Sequence, residues 1–186
     1  MKRLLAILAL LLWLQPASAS ELSQALSAYR AKQYGTAVAM LKPMAERGDP
    51  WAQYSLAVAY DDGFGVPRNF QLALEWYKRA GSQGLADAQY MAGRFYGGGR
   101  GVKQDIAKAL FWMELAAAGG QPWAPLLRDQ HYTQLKRPVR ERVAAEATSW
   151  QARHPRQMNC KFKRCIYPAW TKAPVYNMIQ EDQFYP

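Results

Sequence analysis

Histidine and cysteine are scarce in this chain, and their scarcity leaves little of the chemistry that enzymes use. The 186 residues include two His and two Cys. No Ser or Cys motif accompanies His131 or His154, and neither His-Glu-x-x-His nor Gly-x-Ser-x-Gly occurs. The sequence therefore predicts no catalytic residue, no metal ligand and no cofactor.

Long apolar runs are also lacking, apart from one of 11 residues at positions 4–14. This run follows Lys2-Arg3 and precedes Ala17-Ser18-Ala19, an order typical of a cleavable secretory signal peptide. An uncleaved membrane anchor needs about 20 apolar residues. We therefore expect residues 1–19 to be removed by cleavage after Ala19, which leaves no stable membrane span. The mature chain is expected in the periplasm or outside the cell.

Acidic residues are few beside basic ones, with 14 Asp and Glu against 24 Lys and Arg. The imbalance lies towards the C-terminus: residues 128–172 contain 11 basic and 3 acidic residues, whereas residues 21–127 contain 11 and 9. A basic end on an exported chain favours an anionic envelope partner, such as lipid head groups, acidic glycan or an acidic protein. A solvated cap on the last repeat explains the same charge. Nucleic acid is not expected as a partner, because export removes the chain from it.

The chain does contain an internal repeat with a period of 36 residues. Its first copy comprises Ala52-Gln53-Tyr54, Tyr60, Gly63, Gly65-Val66, Ala73-Leu74, Trp76, Ala80 and Gly84. Its second copy comprises Ala88-Gln89-Tyr90, Tyr96, Gly99, Gly101-Val102, Ala109-Leu110, Trp112, Ala116 and Gly120. A period in this range indicates stacked supersecondary units instead of one undivided core.

Each unit is predicted to be a pair of helices joined by a glycine-rich turn. Residues 51–86 and 87–122 form the two clear units, with first helices at 51–61 and 87–96 and second helices at 69–83 and 105–118. Asp49 and Asp87 are predicted to cap the first helices. A less regular unit is expected on each side of this pair. Close helix contacts are predicted at four alanines spaced by the period: Ala37, Ala73, Ala109 and Ala145.

The pattern Ala-Gln-Tyr, Tyr, Gly-x-Gly-Val, Ala-Leu, Trp, Ala, Gly resembles the Sel1-like repeat, a relative of the tetratricopeptide repeat. The resemblance implies an all-α fold, a right-handed α-solenoid of about four helical hairpins over residues 20–154, that serves as a protein-interaction scaffold. Some cysteine-rich proteins of this family have been associated with β-lactam binding or hydrolysis. They carry a cysteine pair in each repeat, which this chain lacks, so we expect a protein that is not an enzyme.

The resemblance also implies that first helices line the concave face of the solenoid. The residues predicted to bind a partner protein there are Gln53, Tyr54, Val58, Gln89, Tyr90 and Arg94. Val58 and Arg94 are equivalent but differ, which indicates that packing does not determine them. Packing against the next hairpin is an equally good explanation of Tyr54 and Tyr90. Asp61-Asp62 is predicted to be a solvated loop in preference to a contact for a cation.

The C-terminal region, residues 155–186, has a different character. Cys160 and Cys165 lie close together, and in an exported chain such a pair predicts a disulfide bond. Between them, Lys161, Lys163 and Arg164 form a basic patch, the candidate site for an anionic envelope component. The remaining tail is predicted to be non-helical. It either packs back on the solenoid or stays loose until a partner binds.

Overall fold

The computed structural model describes residues 19–154. The predicted signal peptide up to Ser18, the predicted disulfide Cys160–Cys165, the basic patch and the tail lie outside these residues. Between residues 19 and 154 the secondary structure is entirely helical, as the all-α prediction requires. The helices are α1 (Ala19–Arg30), α2 (Tyr34–Glu46), α3 (Pro50–Asp62), α4 (Phe70–Ser82), α5 (Ala86–Gly98), α6 (Ile106–Ala118), α7 (Ala124–Gln134) and α8 (Arg137–Arg153).

The helices stack in chain order. Helices α1 to α6 each pack on the next helix in the sequence, so that α1–α2, α3–α4 and α5–α6 are three hairpins in a row. The order breaks at the end, because α8 packs on α6 and shares no comparable interface with α7. The protein is an α-solenoid with three closed hairpins and an open last unit.

Side-chain caps set the starts of three helices. Asp49, Asn69 and Asp105 accept backbone N–H groups of Ala52 (2.7 Å), Leu72 (3.0 Å) and Lys108 (2.9 Å). These bonds satisfy amide groups that have no partner inside a helix. The prediction for Asp49 is confirmed, but that for Asp87 is wrong. Helix α5 is preceded by Leu85 and begins at Ala86, which places Asp87 within the first turn.

Two glycines bring neighbouring hairpins into backbone contact. Gly65 and Gly101 have φ of 75° and 66°, a region that side chains disfavour. A Cβ atom added at Gly65 would lie 2.5 Å from the backbone of Tyr34, and one at Gly101 would lie 2.6 Å from the backbone of Phe70. Tyr34 and Phe70 begin the second helices of the preceding hairpins, α2 and α4. The turn of each unit therefore rests on the unit before it.

The predicted alanine contacts hold in three units and fail in the fourth. Ala37, Ala73 and Ala109 have no exposed surface, whereas Ala145 is exposed. The reason is the short connection between α7 and α8, which has two residues where α5 and α6 are joined by seven. Helix α8 therefore begins earlier than the 36-residue period requires. Val143 and Ala147 take the buried positions instead.

Candidate functional site

The two glutamines of the predicted binding surface turn out to connect hairpins. Gln53 and Gln89 are 5% and 1% exposed. Gln53 Nε2 donates to the carbonyl of Ala45 (3.0 Å) and Gln89 Nε2 to the carbonyl of Gly81 (2.9 Å). The two acceptors are themselves one period apart. These glutamines satisfy buried carbonyl groups of the preceding unit, and the prediction that they contact a partner is corrected.

Tyr54 and Val58 are also buried, at 6% and 2% exposure. The ring of Tyr54 lies 5.7 Å from the ring of Tyr77 on α4, and both residues belong to the core shared by the second and third hairpins. Helix α3 lies between α2 and α4, which leaves little of its surface free. Neither side chain is available to a partner in this conformation, so these two predicted contacts are corrected as well.

Tyr90, Met91 and Arg94 form a partly exposed cluster, the α5 patch. Arg94 is exposed, and Tyr90 and Met91 are half-buried. The guanidinium carbon of Arg94 lies 5.9 Å from the ring centroid of Tyr90, and its Nη1 lies 3.9 Å from Sδ of Met91. Tyr90 packs against a buried cluster of the following helices that includes Met113 and Ala124, and this burial raises the pKa of its hydroxyl.

The exposure of the α5 patch can be compared with that of the equivalent residues in the preceding repeat. One period earlier the same three positions hold Tyr54, Ser55 and Val58, each of them buried, with exposures of 6%, 6% and 2%. Equivalent positions are therefore buried in one hairpin and partly or fully exposed in the next. The α5 patch combines an aromatic ring, a thioether and a guanidinium, side chains that are common in protein interfaces.

Asp61 lies in an ion pair, which corrects the prediction of a solvated loop at this aspartate. Its carboxylate Oδ1 accepts a hydrogen bond of 2.7 Å from Nη2 of Arg100, in the turn of the next hairpin. The Arg100 guanidinium also lies 4.6 Å from the ring of Phe70 and 4.9 Å from that of Phe95. Burial raises the pKa of Asp61 to about 6, although Arg100 opposes the shift.

No metal site accompanies this aspartate. Among residues 19–154, no three His, Cys, Asp or Glu side chains come together as metal ligands would. In the same part of the chain, no helix has both the length and the apolar character that crossing a membrane requires.

Comparison with known proteins agrees with this architecture. The Sel1 repeat profile matches residues 52–85 and 86–121. A Sel1 repeat protein from Oxalobacter formigenes is 32% identical in sequence, with a TM-score of 0.57. Its alignment covers 62% of this chain and 90% of that one. The chain belongs to the Sel1 repeat family.

A second solved structure shows the same fold in a longer protein. A protective antigen present in uropathogenic Escherichia coli strains, which displays an SLR fold, superposes with a TM-score of 0.69 at 23% identity. The alignment covers 75% of this chain and 31% of that antigen, so this chain spans about a third of its length. No curated protein matches this chain. Sel1 repeat proteins are generally non-catalytic scaffolds for protein interactions.

Sequence reasoning missed how the turn of one Sel1 repeat fits onto its predecessor. The ring of Phe64 stacks on that of Tyr34 at 4.6 Å, and one period later Arg100 lies over Phe70. The sequence did contain the signal, since Phe64 and Arg100 are 36 residues apart and so are Tyr34 and Phe70. It was hidden because the change from Phe64 to Arg100 retains stacking on an aromatic ring but not the residue type.

Proposed function

We propose that this protein is a non-enzymatic adaptor of the periplasm or the extracellular space, and that it binds a partner protein through the α5 patch. One observation carries the proposal: Arg94 is exposed and Tyr90 and Met91 are partly exposed at positions that are buried in the preceding repeat. The family supports the general role, since Sel1 repeats generally bind proteins. The signal peptide pattern supports the location.

The chemistry of the patch indicates the kind of surface that it binds. Arg94 offers a guanidinium that pairs with carboxylates in two-point geometry. Tyr90 and Met91 offer an apolar area beside it that is already partly ordered by packing, which lowers the entropy cost of binding. The expected partner surface has a carboxylate next to an apolar side chain.

The double substitution Tyr90→Ala and Arg94→Ala tests the proposal. The full-length protein is exported, crosslinked to its neighbours in the envelope, purified, and its captured partners are quantified by mass spectrometry. We expect the partner seen with the wild type to fall about tenfold or more, because dominant interface residues each contribute about 2 kcal/mol or more. Circular dichroism is expected to show unchanged helicity.

The matched control removes two exposed side chains from a second helix. Gln71 and Lys78 are both exposed on α4. The double substitution Gln71→Ala and Lys78→Ala is expected to leave partner capture at the wild-type level. Equal capture by the α5-patch variant and the wild type would contradict the proposal.

The rival proposal is binding of an acidic glycan or anionic lipid by the basic patch Lys161, Lys163 and Arg164. These residues lie outside the described part of the chain, and the idea stays a prediction. Charge reversal at all three positions tests it. Loss of binding in this variant, together with a steep decline as salt rises, favours the rival, because screening weakens exposed charge interactions more than packed interfaces.

A further inference from the structure

The last two helices leave a groove where the other units have a closed hairpin. Helices α7 and α8 both pack on α6 but not along each other. They touch near their junction, where Nη1 of Arg140 donates to the carbonyl of Tyr132 at 3.3 Å. Beyond that point they diverge around an open groove of about 520 Å³.

Small side chains form the floor of this groove. Ala117 and Ala118 of α6 and Ala144 and Ala147 of α8 line it, so no large apolar side chain fills the space between the helices. One repeat earlier, the position equivalent to Ala117 is Gly81, and the ring of Trp112 from the next second helix lies against it, 3.1 Å from where a Cβ would be. A groove with an alanine floor has room for a large ring that this part of the chain does not supply.

The polar wall of the groove is already internally paired. The hydroxyl of Tyr132 donates to Oε1 of Glu114 at 2.5 Å, and Nη1 of Arg128 lies 3.9 Å from Oε2 of the same carboxylate. Because its carboxylate already contacts Tyr132 and Arg128, Glu114 does not need an external cation to balance its charge. The groove, which Thr148 and Gln151 also line, therefore suits a nearly uncharged segment that carries both apolar and polar groups better than a strongly charged one.

The chain itself continues from one end of the groove. Gln151, in the last turn of α8, lines the groove, and the helix ends at Arg153. His154 is held at this exit, since its ring stacks on that of Trp150 at 4.2 Å and its Nδ1 lies 2.7 Å from the Trp150 carbonyl oxygen. Residues 155–186 start at this point.

Within those residues, one segment has the composition that the groove requires. Residues 166–176 contain three aromatic residues, Tyr167, Trp170 and Tyr176, with two prolines and a single charged residue, Lys172. The groove wall from Ala144 to Gln151 is about 10 Å long at the helical rise per residue. Three or four extended residues at about 3.3 Å each span it. The 11 residues at 155–165 are long enough to bring the segment back.

From these observations we infer that residues 166–176 bind in the groove between α7 and α8, with the ring of Trp170 on the alanine floor. The segment completes the open last unit from within the same chain. It acts as the cap that a solenoid needs at its terminal repeat. This inference concerns a different surface from the α5 patch and does not depend on partner binding there.

A photo-crosslinking experiment on the full-length exported protein tests this location. Trp170 is replaced by p-benzoylphenylalanine, the dilute protein is irradiated, and crosslinked peptides are identified by mass spectrometry. We expect crosslinks within one chain to the peptides that contain Ala117, Ala118 or residues 144–151. The same probe in place of Phe184, an aromatic residue outside the segment, is expected to give no preference for the groove.

Hydrogen exchange provides a second measurement. Amides of residues 166–176 are expected to exchange about tenfold more slowly in the wild type than in Trp170→Ala, which corresponds to about 1.4 kcal/mol of closing free energy. Ala144→Arg, which fills the groove from the other side, is expected to remove the same protection. If that variant fails to fold, Trp170→Ala alone decides, with Phe184→Ala as the control that retains protection.

Three results would overturn the inference. Crosslinks from position 170 to the α5 patch or to another helix would place the segment elsewhere. Crosslinks found only between two chains would show that it binds a second copy. Exchange that is equally fast in the wild type and Trp170→Ala would show that the segment is not bound at all.

Discussion

At the scale of single residues, the repeat is held together by contacts that reach back one unit. Gln53 and Gln89 bond to carbonyl groups of the preceding second helix, and Gly101 rests on the backbone of Phe70. These residues recur because each new unit must satisfy and cover the end of the previous one. The recurrence of these glutamines and glycines is therefore evidence of packing between units.

Replacing Gly101 by Ala should weaken the fold more than the same change at Gly120. Both glycines have positive φ, at 66° and 84°, so both variants carry about 1–2 kcal/mol of backbone strain. Only at Gly101 does the new Cβ also collide with backbone, 2.6 Å from Phe70, whereas nothing lies within 4 Å at Gly120. We expect an extra loss of about 1–3 kcal/mol in urea unfolding for Gly101→Ala. Equal midpoints for the two variants would contradict the close approach.

Asp61→Asn should stabilise the protein near pH 7, and the gain should shrink as the pH falls. The pKa of Asp61 is raised from 3.8 to about 6 in the folded state. The folded state therefore binds the proton more tightly, and the free energy of unfolding decreases as the pH rises from about 4 to 6. Asp61→Asn has no carboxyl proton to release, so it retains the free energy of unfolding that the wild type loses, which is of the order of 2 kcal/mol.

Unfolding midpoints of the wild type and Asp61→Asn at pH 4.5 and 7.5 measure the difference. Asp129→Asn is the control, because its carboxylate is 66% exposed. If Asp61→Asn is less stable than the wild type by the same amount at both pH values, the ion pair with Arg100 stabilises the fold by more than burial of the carboxylate costs.

At the scale of helices, connection length decides whether the sequence period corresponds to position in the structure. The seven-residue turns after α3 and α5 keep the same register in two units, whereas the two-residue link after α7 shifts α8. Ala145 falls on the 36-residue period yet lies on the surface. A repeat position therefore predicts burial only where the turn before it is retained.

Ala109→Leu should destabilise the protein by about 1–3 kcal/mol, while Ala145→Leu should change its stability by less than about 0.5 kcal/mol. Ala109 has no exposed surface, and its carbonyl oxygen would lie 3.2 Å from a Cβ added at Gly93 on α5. Thermal unfolding compares the two variants, with Arg94→Ala as a second exposed control. Similar losses at Ala109 and Ala145 would support the unbroken period and contradict the shifted register.

At the scale of the whole molecule, the stacked hairpins form a core with few charges, and the formal charge of +10 lies largely outside it. Of the two expected uses of the molecule, an adaptor depends on the solenoid surface and an envelope binder on the basic C-terminal residues. Both depend on export. The predicted cleavage after Ala19 falls at the first residue of α1, whose Leu22 and Leu26 are buried and keep the helix in the stack.

Intact-mass analysis of the exported protein tests two expectations about the whole chain. We expect a mature protein that begins at Ser20, and a mass two hydrogens lower than that of the reduced chain because Cys160 and Cys165 are bonded. Reduction and alkylation should then add two labels. A retained Met1 would contradict cleavage, and two labels without prior reduction would contradict the disulfide.

The all-α fold, the hairpin unit and the positions of the turns in the two clear repeats follow from the order of residues alone, because glycine, capping residues and small residues act locally and recur at a constant spacing. Tertiary structure alone decided which repeated residues are covered. Tyr54 and Val58 occupy the same repeat positions as the half-buried Tyr90 and the exposed Arg94, and only the stacking of neighbouring hairpins buries them. The same stacking leaves Arg94 exposed and Tyr90 and Met91 partly exposed, since burial depends on which helices pack around a position as well as on its place in the repeat.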